Sequence, residues 1–569
     1  MYMSPKAFRA NASTSLDAPG PDSYNRAMSL STFSQNLGRA PAYRLIQLYM
    51  QLLCAYLAGM AVAWLVGYES IYGHPTPFYA LYQPVFQSLL TPWSMLVLML
   101  MAYWLISARF SQRPPWRQYA GLGLLGLLLI LPILALYHFT PIQGHSVWTW
   151  LLAEWAALAW HLPGLVVFIV FLLAFFWANR RYHFLHKTPN KHALWGLLLG
   201  LVLTSFCFAC AIAMIRHGFQ GISQAFTRHS LEVVGDIGLA STIRGVFTRY
   251  VEMQPHLSLH GRVHPPGPVL LVWHFTYIVG HGALALSLIT VAFGALAIIP
   301  LYFWVRELYG HRVALYSTLL YIFVPAVVLF GATSADTLFP PFTLTTLFLF
   351  ERAIRRASIP YAIAAGLGYT AMGLMKYSLF GIGIYFAFAG LWLMRHPKRR
   401  IAVIQTAAVM FCSTIGAHLL IWYWSGFDLI TSMQIAKEYV DHDRYHEQFL
   451  APRAGFWTWR LLNPIAWVYF AGIPVSLLFF MRLRWRDTTR FQPVLWVLAL
   501  TALVQTLLYL GAGEGERSAL YVYPFLVVPA AHLLWDICRR HRLDTPLYAT
   551  LAMLAFQCWL TESYFYTYW

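Results

Sequence analysis

The sequence predicts an all-helical membrane protein that crosses the bilayer many times. Three observations support this fold class. Of the 569 residues, 59% are hydrophobic and only 11% are charged, apolar runs of roughly 17 to 25 residues recur along the chain, and basic residues gather in alternate connections between these runs. A soluble core could not bury this much apolar surface, and a membrane β-barrel would show short alternating strands instead.

The apolar runs predict about fifteen transmembrane helices, because a helix of this length crosses the hydrocarbon layer with its backbone hydrogen bonds satisfied. They lie near residues 45–66, 92–108, 119–138, 150–178, 194–215, 283–305, 312–331, 337–353, 360–376, 378–394, 401–424, 461–482, 493–510, 518–537 and 545–563. The run at 150–178 is overlong and contains Pro163, which predicts a kinked or strongly tilted helix.

The formal net charge of +18 would suggest a nucleic-acid partner in a soluble protein, but its distribution indicates membrane topology here. The basic residues occupy alternate short loops, which are Arg109 to Arg117, Arg180 to Lys191, Arg306 to Arg312, Arg352 to Arg356, Arg395 to Arg400, Arg482 to Arg490 and Arg539 to Arg542. Such loops face the cytoplasm. We therefore expect a cytoplasmic N-terminus and, with an odd number of spans, an extracytoplasmic C-terminus.

The same pattern predicts three regions. Residues 1–44 are rich in Ser, Ala, Pro and Asn and lack the apolar segment of a signal peptide, so a flexible cytoplasmic tail is expected. Residues 45–190 form an N-terminal membrane module of four helices. Residues 191–569 form the domain that carries the chemistry, with extracytoplasmic loops at 216–282 and 425–460.

A polar segment of mixed charge, residues 217–268, interrupts the apolar pattern. Residues 223–234 and 237–251 alternate apolar and polar side chains at helical spacing, which predicts juxtamembrane helices lying flat at the bilayer interface. The Pro265-Pro266-Gly267-Pro268 turn stops helix and predicts an extended entry into the next apolar run.

Asp236 lies between these two predicted helices, flanked by Gly235 and Gly238. Two interpretations remain open. At a helix start, its carboxylate would cap exposed backbone amides. Alternatively, an aspartate at the membrane face can act as a general base that removes the proton of an acceptor hydroxyl.

Several cationic residues have the chemistry of an anion site. Arg262 and His264 suit either a phosphate or the lipid headgroup layer. Lys376 lies between two apolar runs, where its ammonium must reach outward or meet an anion. The guanidinium of Arg517 suits phosphate oxygens, although a salt bridge to a neighbouring glutamate is an alternative.

Two further groups need an interpretation. Asp336 can partner a basic residue or cap a helix. His442 and His446 are one helical turn apart beside Asp443 and Glu447, so a divalent metal is possible there, with a loop near the acceptor or a solvated face as alternatives. No other cofactor is expected.

Five segments resemble, in order, the dolichyl-phosphate-mannose protein mannosyltransferase family and its bacterial relatives in the GT-C superfamily of membrane glycosyltransferases. The segments are Asp236 with Phe247-Thr248-Arg249-Tyr250-Val251-Glu252-Met253 and His264-Pro265-Pro266, then 303–312, 334–338, 366–376 and 517–529. The resemblance covers roughly residues 194–535 and departs from the family at two points. The family's Asp-Glu pair is Asp236-Ile237 here, so the role of the second acid is either absent or supplied by Glu232 or Glu252. The family's Thr-Lys-Gly is Met375-Lys376-Tyr377.

The resemblance implies a GT-C-like fold and the transfer of a sugar from a polyprenyl-phosphate donor to a hydroxyl acceptor on a glycan, lipid or protein. It implies that Asp236 is the general base and that the reaction inverts the anomeric carbon. It also implies that Lys376 contacts the donor phosphate. By their own chemistry Arg517, with Arg262 or His264, is expected to join Lys376 in binding that phosphate. Asp336, Glu252 and Tyr250 are expected to support the site.

Two other functions use similar residues. A transporter or flippase of a lipid-linked saccharide would need the phosphate contacts but no base, and should show an inverted repeat with interrupted helices. A polymerase or ligase that joins lipid-linked glycans would suit the large outer loops. No nucleic-acid partner is expected in any of these cases.

Overall fold

The computed structural model describes residues 48–51, 154–155, 161–182, 190–239, 241–442, 464, 466–483, 493–508, 517 and 520–566. These residues are almost entirely helical, in agreement with the predicted fold class. The predicted tail 1–44, the spans 92–108 and 119–138, and most of 45–66 lie outside the described residues. The four-helix N-terminal module therefore stays a prediction.

The helices of the first described half are α1 (Leu162–Tyr182), α2 (Lys191–His217), α3 (Phe219–Thr227), α4 (Ile243–Met253), α5 (Leu259–Val263), α6 (Gly267–Val279), α7 (Ala283–Ala295), α8 (Ile298–Tyr309), α9 (His311–Ile322) and α10 (Pro325–Thr333). Those of the second half are α11 (Phe339–Arg356), α12 (Ile359–Met375), α13 (Gly383–Met394), α14 (Arg400–Ser425), α15 (Leu429–His442), α16 (Ile473–Arg482), α17 (Pro493–Leu508), α18 (Tyr523–His541) and α19 (Thr545–Tyr564). Short 3₁₀ helices at Val233–Leu239, Gln254–His256, Ala335–Leu338, Tyr377–Ile382 and Pro397–Arg399 connect some of them.

Within the described residues, five helical stretches are long and apolar enough to cross a membrane. They are Leu162–Asn179, Lys191–His217, Ala283–Tyr309, Tyr377–Met394 and Pro397–Ser425. The pair α9 and α10, bent by 53°, makes a sixth if it is one broken span. Fifteen spans are therefore not confirmed. Among the predicted spans, α12 is only 17 residues long, and α11 carries four charged residues near its end.

The predicted span 150–178 is wrong in its first part. Residues Glu154–Trp155 form a short β-strand, β1, which pairs antiparallel with β2 (Phe565–Tyr566). The helix itself begins only at Leu162, with Pro163 in its first turn. A proline is tolerated there because the first backbone amides of a helix have no partner within the helix, so Pro163 marks a helix start and not a kink.

The polar segment 217–268 is built from short helices whose bounds differ from the predicted ones. A turn at 228–232 and a 3₁₀ helix replace the second half of the first predicted helix, while α4 occupies most of the second. The side chain of Thr242 begins α4 by accepting a hydrogen bond from the amide of Gly245. The position of these helices at a bilayer interface stays a prediction.

The connections between consecutive helices bring polar residues together at one end of the helices. One break lies between α10 and α11 at Ala335–Leu338, and another follows α12, where Lys376 adopts an extended backbone. The turn before α6 reaches the same place. A Cβ atom on Gly267 would lie only 2.3 Å from the carbonyl oxygen of Leu374, so glycine permits the start of α6 to pack against the end of α12.

Candidate functional site

Asp236 lies buried in the 3₁₀ helix Val233–Leu239. Its two carboxylate oxygens accept hydrogen bonds from a single residue, Ser258. The backbone amide of Ser258 donates to Oδ1 at 2.8 Å and its hydroxyl donates to Oδ2 at 2.6 Å. Ser258 is the N-cap residue of α5, so Asp236 fixes the start of that helix.

The capping interpretation of Asp236 is therefore realised, but on a helix other than the one expected. The carboxylate binds the amide before α5, as the acidic residue of a capping box binds its N-cap, and it does not cap the helix that follows it in sequence. Gly261 makes this approach possible, since a Cβ atom there would lie 2.2 Å from Oδ2 of Asp236.

The environment of Asp236 favours its protonated form. Burial raises the pKa of the carboxyl group above its ordinary value, and the hydrogen bonds from Ser258 and the charges of Arg262 and His260 offset this only in part. A raised pKa makes the carboxylate a stronger base than an exposed aspartate.

Asp336 is the centre of a second buried cluster. Lys376 Nζ donates to its Oδ1 at 3.0 Å, and Arg517 Nε lies 3.4 Å from its Oδ2. The Ser334 hydroxyl also lies 3.2 Å from Oδ2. All three charged side chains are at most 8% exposed. The expected role of Asp336 as a partner of basic residues thus agrees with these contacts.

Burial alone would raise the pKa of Asp336, but Lys376 and Arg517 outweigh it and hold the pKa well below its ordinary value. Asp336 is therefore ionised at neutral pH. Glu514 and Glu516 are the neighbouring glutamates that could pair with Arg517, and both lie outside the described residues.

His264 and Tyr250 connect the two clusters. His264 Nε2 lies 4.0 Å from Asp336 Oδ1, and the Tyr250 hydroxyl lies 2.9 Å from the carbonyl oxygens of both His264 and Gly261. Burial and the neighbouring Lys376 lower the pKa of His264 to about 3, so its imidazole is neutral. Its Nδ1 has no hydrogen-bond partner among the described residues.

Within the described residues, Arg262 and Glu252 form no ion pair with Asp336, unlike Lys376, Arg517 and His264. Arg262 Nε donates to the carbonyl oxygen of Leu257 at 2.6 Å, and the guanidinium lies 4.8 Å from the ring centre of Tyr439 on α15. Its charge still lowers the pKa of Asp236. Glu252 is exposed on α4. Of the two glutamates considered as the second acid, Glu232 is the buried one, at 1% exposed.

Sequence reasoning missed several members of the site. His260 lies between the two clusters, with Nδ1 2.9 Å from Glu232 Oε2 and Nε2 3.2 Å from Arg517 Nη2. The signal that could have located Ser258 is its place before a short helical run, where serine is a preferred N-cap. His260 gave no local signal, because its partners are 28 and 257 residues away.

A buried network of hydrogen bonds holds α15 beside the site. Gln254 Nε2 donates to the carbonyl oxygen of Ser432 at 3.0 Å, and Ser432 Oγ donates to Gln254 Oε1 at 2.6 Å. The Tyr377 hydroxyl lies 2.6 Å from the same Oγ. These contacts join the first polar segment, the end of α12 and the start of the second predicted loop.

The described residues contain no group of three or more His, Cys, Asp or Glu side chains that could hold a metal ion. His446 and the side chain of His442 lie outside the described part of the chain. The metal hypothesis for these two histidines therefore stays untested.

One comparison bears directly on this arrangement. Residues 263–424 match the model of the dolichyl-phosphate-mannose-protein mannosyltransferase family. This segment contains His264, Asp336 and Lys376, and the match confirms the resemblance inferred from the sequence over these residues.

Other comparisons are weaker. No curated protein matches the chain. A crystal structure of the Archaeoglobus fulgidus oligosaccharyltransferase tethered to an acceptor peptide is 15% identical, with a TM-score of 0.42, covering 65% of this chain and 55% of that one. The apo form is 14% identical, with a TM-score of 0.39, covering 64% and 56%. Scores this low do not establish a common fold, and this chain spans little more than half the length of those structures.

Proposed function

We propose that the protein transfers a sugar from a polyprenyl-phosphate donor to a hydroxyl group on a glycan, lipid or protein at the extracytoplasmic face of a membrane. The observation that carries this proposal is the pairing of two unlike clusters at one end of the helices. A carboxyl group with a raised pKa, Asp236, binds the N-cap residue of α5, Ser258. Two buried cations, Lys376 and Arg517, contact Asp336 in the other cluster. His260 belongs to α5 as well, and its Nε2 lies 3.2 Å from Arg517 Nη2, so α5 contacts both clusters.

Asp236 is the proposed general base. Ser258 occupies one lone pair on each carboxylate oxygen, and each oxygen has a second lone pair that can accept an acceptor hydroxyl. As the hydroxyl oxygen attacks the anomeric carbon, its proton passes to Asp236. The bond between the anomeric carbon and the phosphate oxygen breaks, its electrons leave with the phosphate, and the anomeric configuration inverts.

Lys376 and Arg517 are the proposed contacts of the phosphate. Asp336 holds both cations in place, so their positions are set before the donor arrives. Charge develops on the phosphate as it leaves, and fixed cations in a buried site stabilise that charge. His264 supplies a neutral imidazole beside them, while Arg262 supports the charge balance around Asp236.

The reaction class can be separated from transport by following the donor. Purified protein in detergent receives a panel of radiolabelled polyprenyl-phosphate sugars together with acceptor extracts. Release of polyprenyl phosphate with label in the acceptor supports transfer. Movement of an intact donor across reconstituted vesicles without bond cleavage would instead identify a flippase, and joining of lipid-linked glycans would identify a polymerase or ligase.

A charge-removing variant tests the phosphate contacts. We expect Lys376→Met to raise the KM for the donor and lower kcat, because the cation contacts the phosphate in both the bound state and the transition state. Lys437→Met, on the exposed face of α15, is the matched control and should leave both constants unchanged.

A further inference from the structure

The pair formed by Glu232 and His260 is a built feature of the site that the proposed mechanism has not used. Backbone hydrogen bonds tie the two segments together, from the Leu259 amide to the Ser230 carbonyl at 3.1 Å and from the His260 amide to the Leu231 carbonyl at 2.9 Å. They bring the His260 ring beside the Glu232 carboxylate. The side chains are 13% and 1% exposed, respectively.

The contacts of the His260 ring indicate which of its nitrogens carries the proton. Glu232 is an acceptor through Oε2, so it favours a proton on Nδ1 of His260. In the neutral ring Nε2 is then an acceptor, and it lies 3.2 Å from Arg517 Nη2, a donor. The guanidinium of Arg517 thus has an acceptor on one edge, His260, and the carboxylate of Asp336 on another.

Charge gives the pair a second property. Oε1 of Glu232 is buried without a hydrogen-bond partner among the described residues. The carboxylate is therefore satisfied there mainly through the contact of its Oε2 with His260. The groups facing His260 are Glu232, Arg517, His264, Asp336 and Asp236. Burial and Arg517 oppose protonation of His260, but Glu232 and Asp336 outweigh them and raise its pKa.

We propose that Glu232 and His260 form a positioning dyad that orients Arg517 toward the donor phosphate, and that His260 takes up a proton when the phosphate binds. An incoming negative charge beside Arg517 favours the imidazolium form. Its Nε2 then changes from an acceptor of Arg517 to a donor toward the phosphate oxygen. The inference rests on the proposed function, since it concerns the same phosphate site.

Proton uptake has a measurable sign. If the bound state holds one proton more than the free state, affinity falls as pH rises, by up to about tenfold per pH unit. The probe must not titrate itself. A phosphate monoester has a second pKa of about 6, so the probe is the methyl diester of a short polyprenyl phosphate, which carries a single fixed charge.

The experiment measures the Kd of this diester by titration calorimetry between pH 5.5 and 8.5, in two buffers of different ionisation enthalpy to count protons. We expect the wild type to take up close to one proton per diester bound over part of this range. His260→Gln should bind with a flat pH profile. Glu232→Gln should shift the pH dependence downward, because the neutral amide no longer stabilises the imidazolium.

Transfer kinetics separate positioning from general structural damage. We expect both variants to raise the KM for the donor roughly tenfold, with a smaller change in kcat, and Glu232→Asp to recover part of the affinity. Exposed residues of the same types, His256 and Glu438, give the controls His256→Gln and Glu438→Gln, which should match the wild type. Thermal unfolding identifies any variant that is misfolded. If Glu232→Gln is misfolded, the affinity of Glu232→Asp is compared with that of the wild type instead.

Two outcomes contradict the dyad differently. If the wild type binds the diester and transfers sugar, but His260→Gln keeps the same proton uptake, the dyad is wrong and the proposed function stands. If the wild type neither binds the diester nor releases polyprenyl phosphate from any donor, both the dyad and the proposed function are wrong.

Discussion

At the scale of single residues, two buried aspartates differ through their neighbours. Burial raises the pKa of Asp236, and Ser258, Arg262 and His260 offset this only in part. Asp336 faces Lys376 and Arg517, and its pKa is lowered. Environments that separate the pKa values of two carboxyl groups also separate their roles: the first is suited to accept a proton and the second to remain a fixed negative charge.

The raised pKa of Asp236 predicts the acid limb of the pH profile of kcat/KM. Activity should fall as pH drops through that pKa, at a pH above the ordinary aspartate value of about 3.9. Ser258→Ala removes a hydrogen bond that lowers the pKa, so the acid limb should move to still higher pH. Ser241→Ala, an exposed serine of the same segment, is the control, and an acid limb unmoved by Ser258→Ala would contradict this assignment.

Asp336→Asn should destabilise the protein by about 3–5 kcal/mol, because it leaves two buried cations without their carboxylate. The folded-state pKa lies below the unfolded value, so the stabilisation is present at neutral pH and is lost as pH falls below that unfolded value toward the folded pKa. Denaturant unfolding in detergent at pH 7 measures it. Glu307→Gln breaks a more exposed pair with Arg352 and should cost under about 1 kcal/mol; equal effects would refute the argument.

At the scale of elements, the site depends on close approaches between short helices. The start of α5 meets Asp236 through Ser258, and the start of α6 meets the end of α12 through Gly267. These contacts set the distance between base and phosphate site, and each tolerates little added volume because protein interiors are close-packed.

Gly261→Ala tests the first of these approaches. The added methyl group would lie 2.2 Å from Asp236 Oδ2, so the carboxylate must move, and a shift of an ångström can cost about 10²-fold in rate. Nothing lies within 4 Å of a Cβ atom placed on Gly238, so Gly238→Ala should keep its activity. Transfer assays on the two variants give the comparison, and similar activities would show that Asp236 does not need this position.

At the scale of the whole molecule, the proposed function requires the polar end of the helices to face the extracytoplasmic side. The charge pattern predicts that His256 lies outside and Lys398 inside the cell. We expect a membrane-impermeant maleimide added to intact cells to label His256→Cys but not Lys398→Cys, with labelling of both after permeabilisation. The parent protein controls for its native cysteines, and the reverse pattern would invert the predicted topology.

The sequence predicted the features that depend on composition and local order. The length of the apolar runs predicted helices such as α2 and α14. Charged residues between apolar runs indicated Asp236 and Lys376, which the structure shows to be buried. It did not predict Glu232 with His260 or Gln254 with Ser432, because those contacts join segments 28 and 178 residues apart. The kink expected at Pro163 is wrong because a proline can either start a helix or kink it, and the sequence alone does not distinguish the two.

The most direct test of the central claim is the transfer rate of Asp236→Asn with a polyprenyl-phosphate sugar that the wild type uses. Asparagine keeps the size of the side chain and can still accept one hydrogen bond from Ser258, but it cannot take a proton. We predict a fall in kcat of about 10²–10⁴-fold with little change in Kd for the donor, and partial activity in Asp236→Glu. A correctly folded Asp236→Asn protein with wild-type kcat would contradict the account.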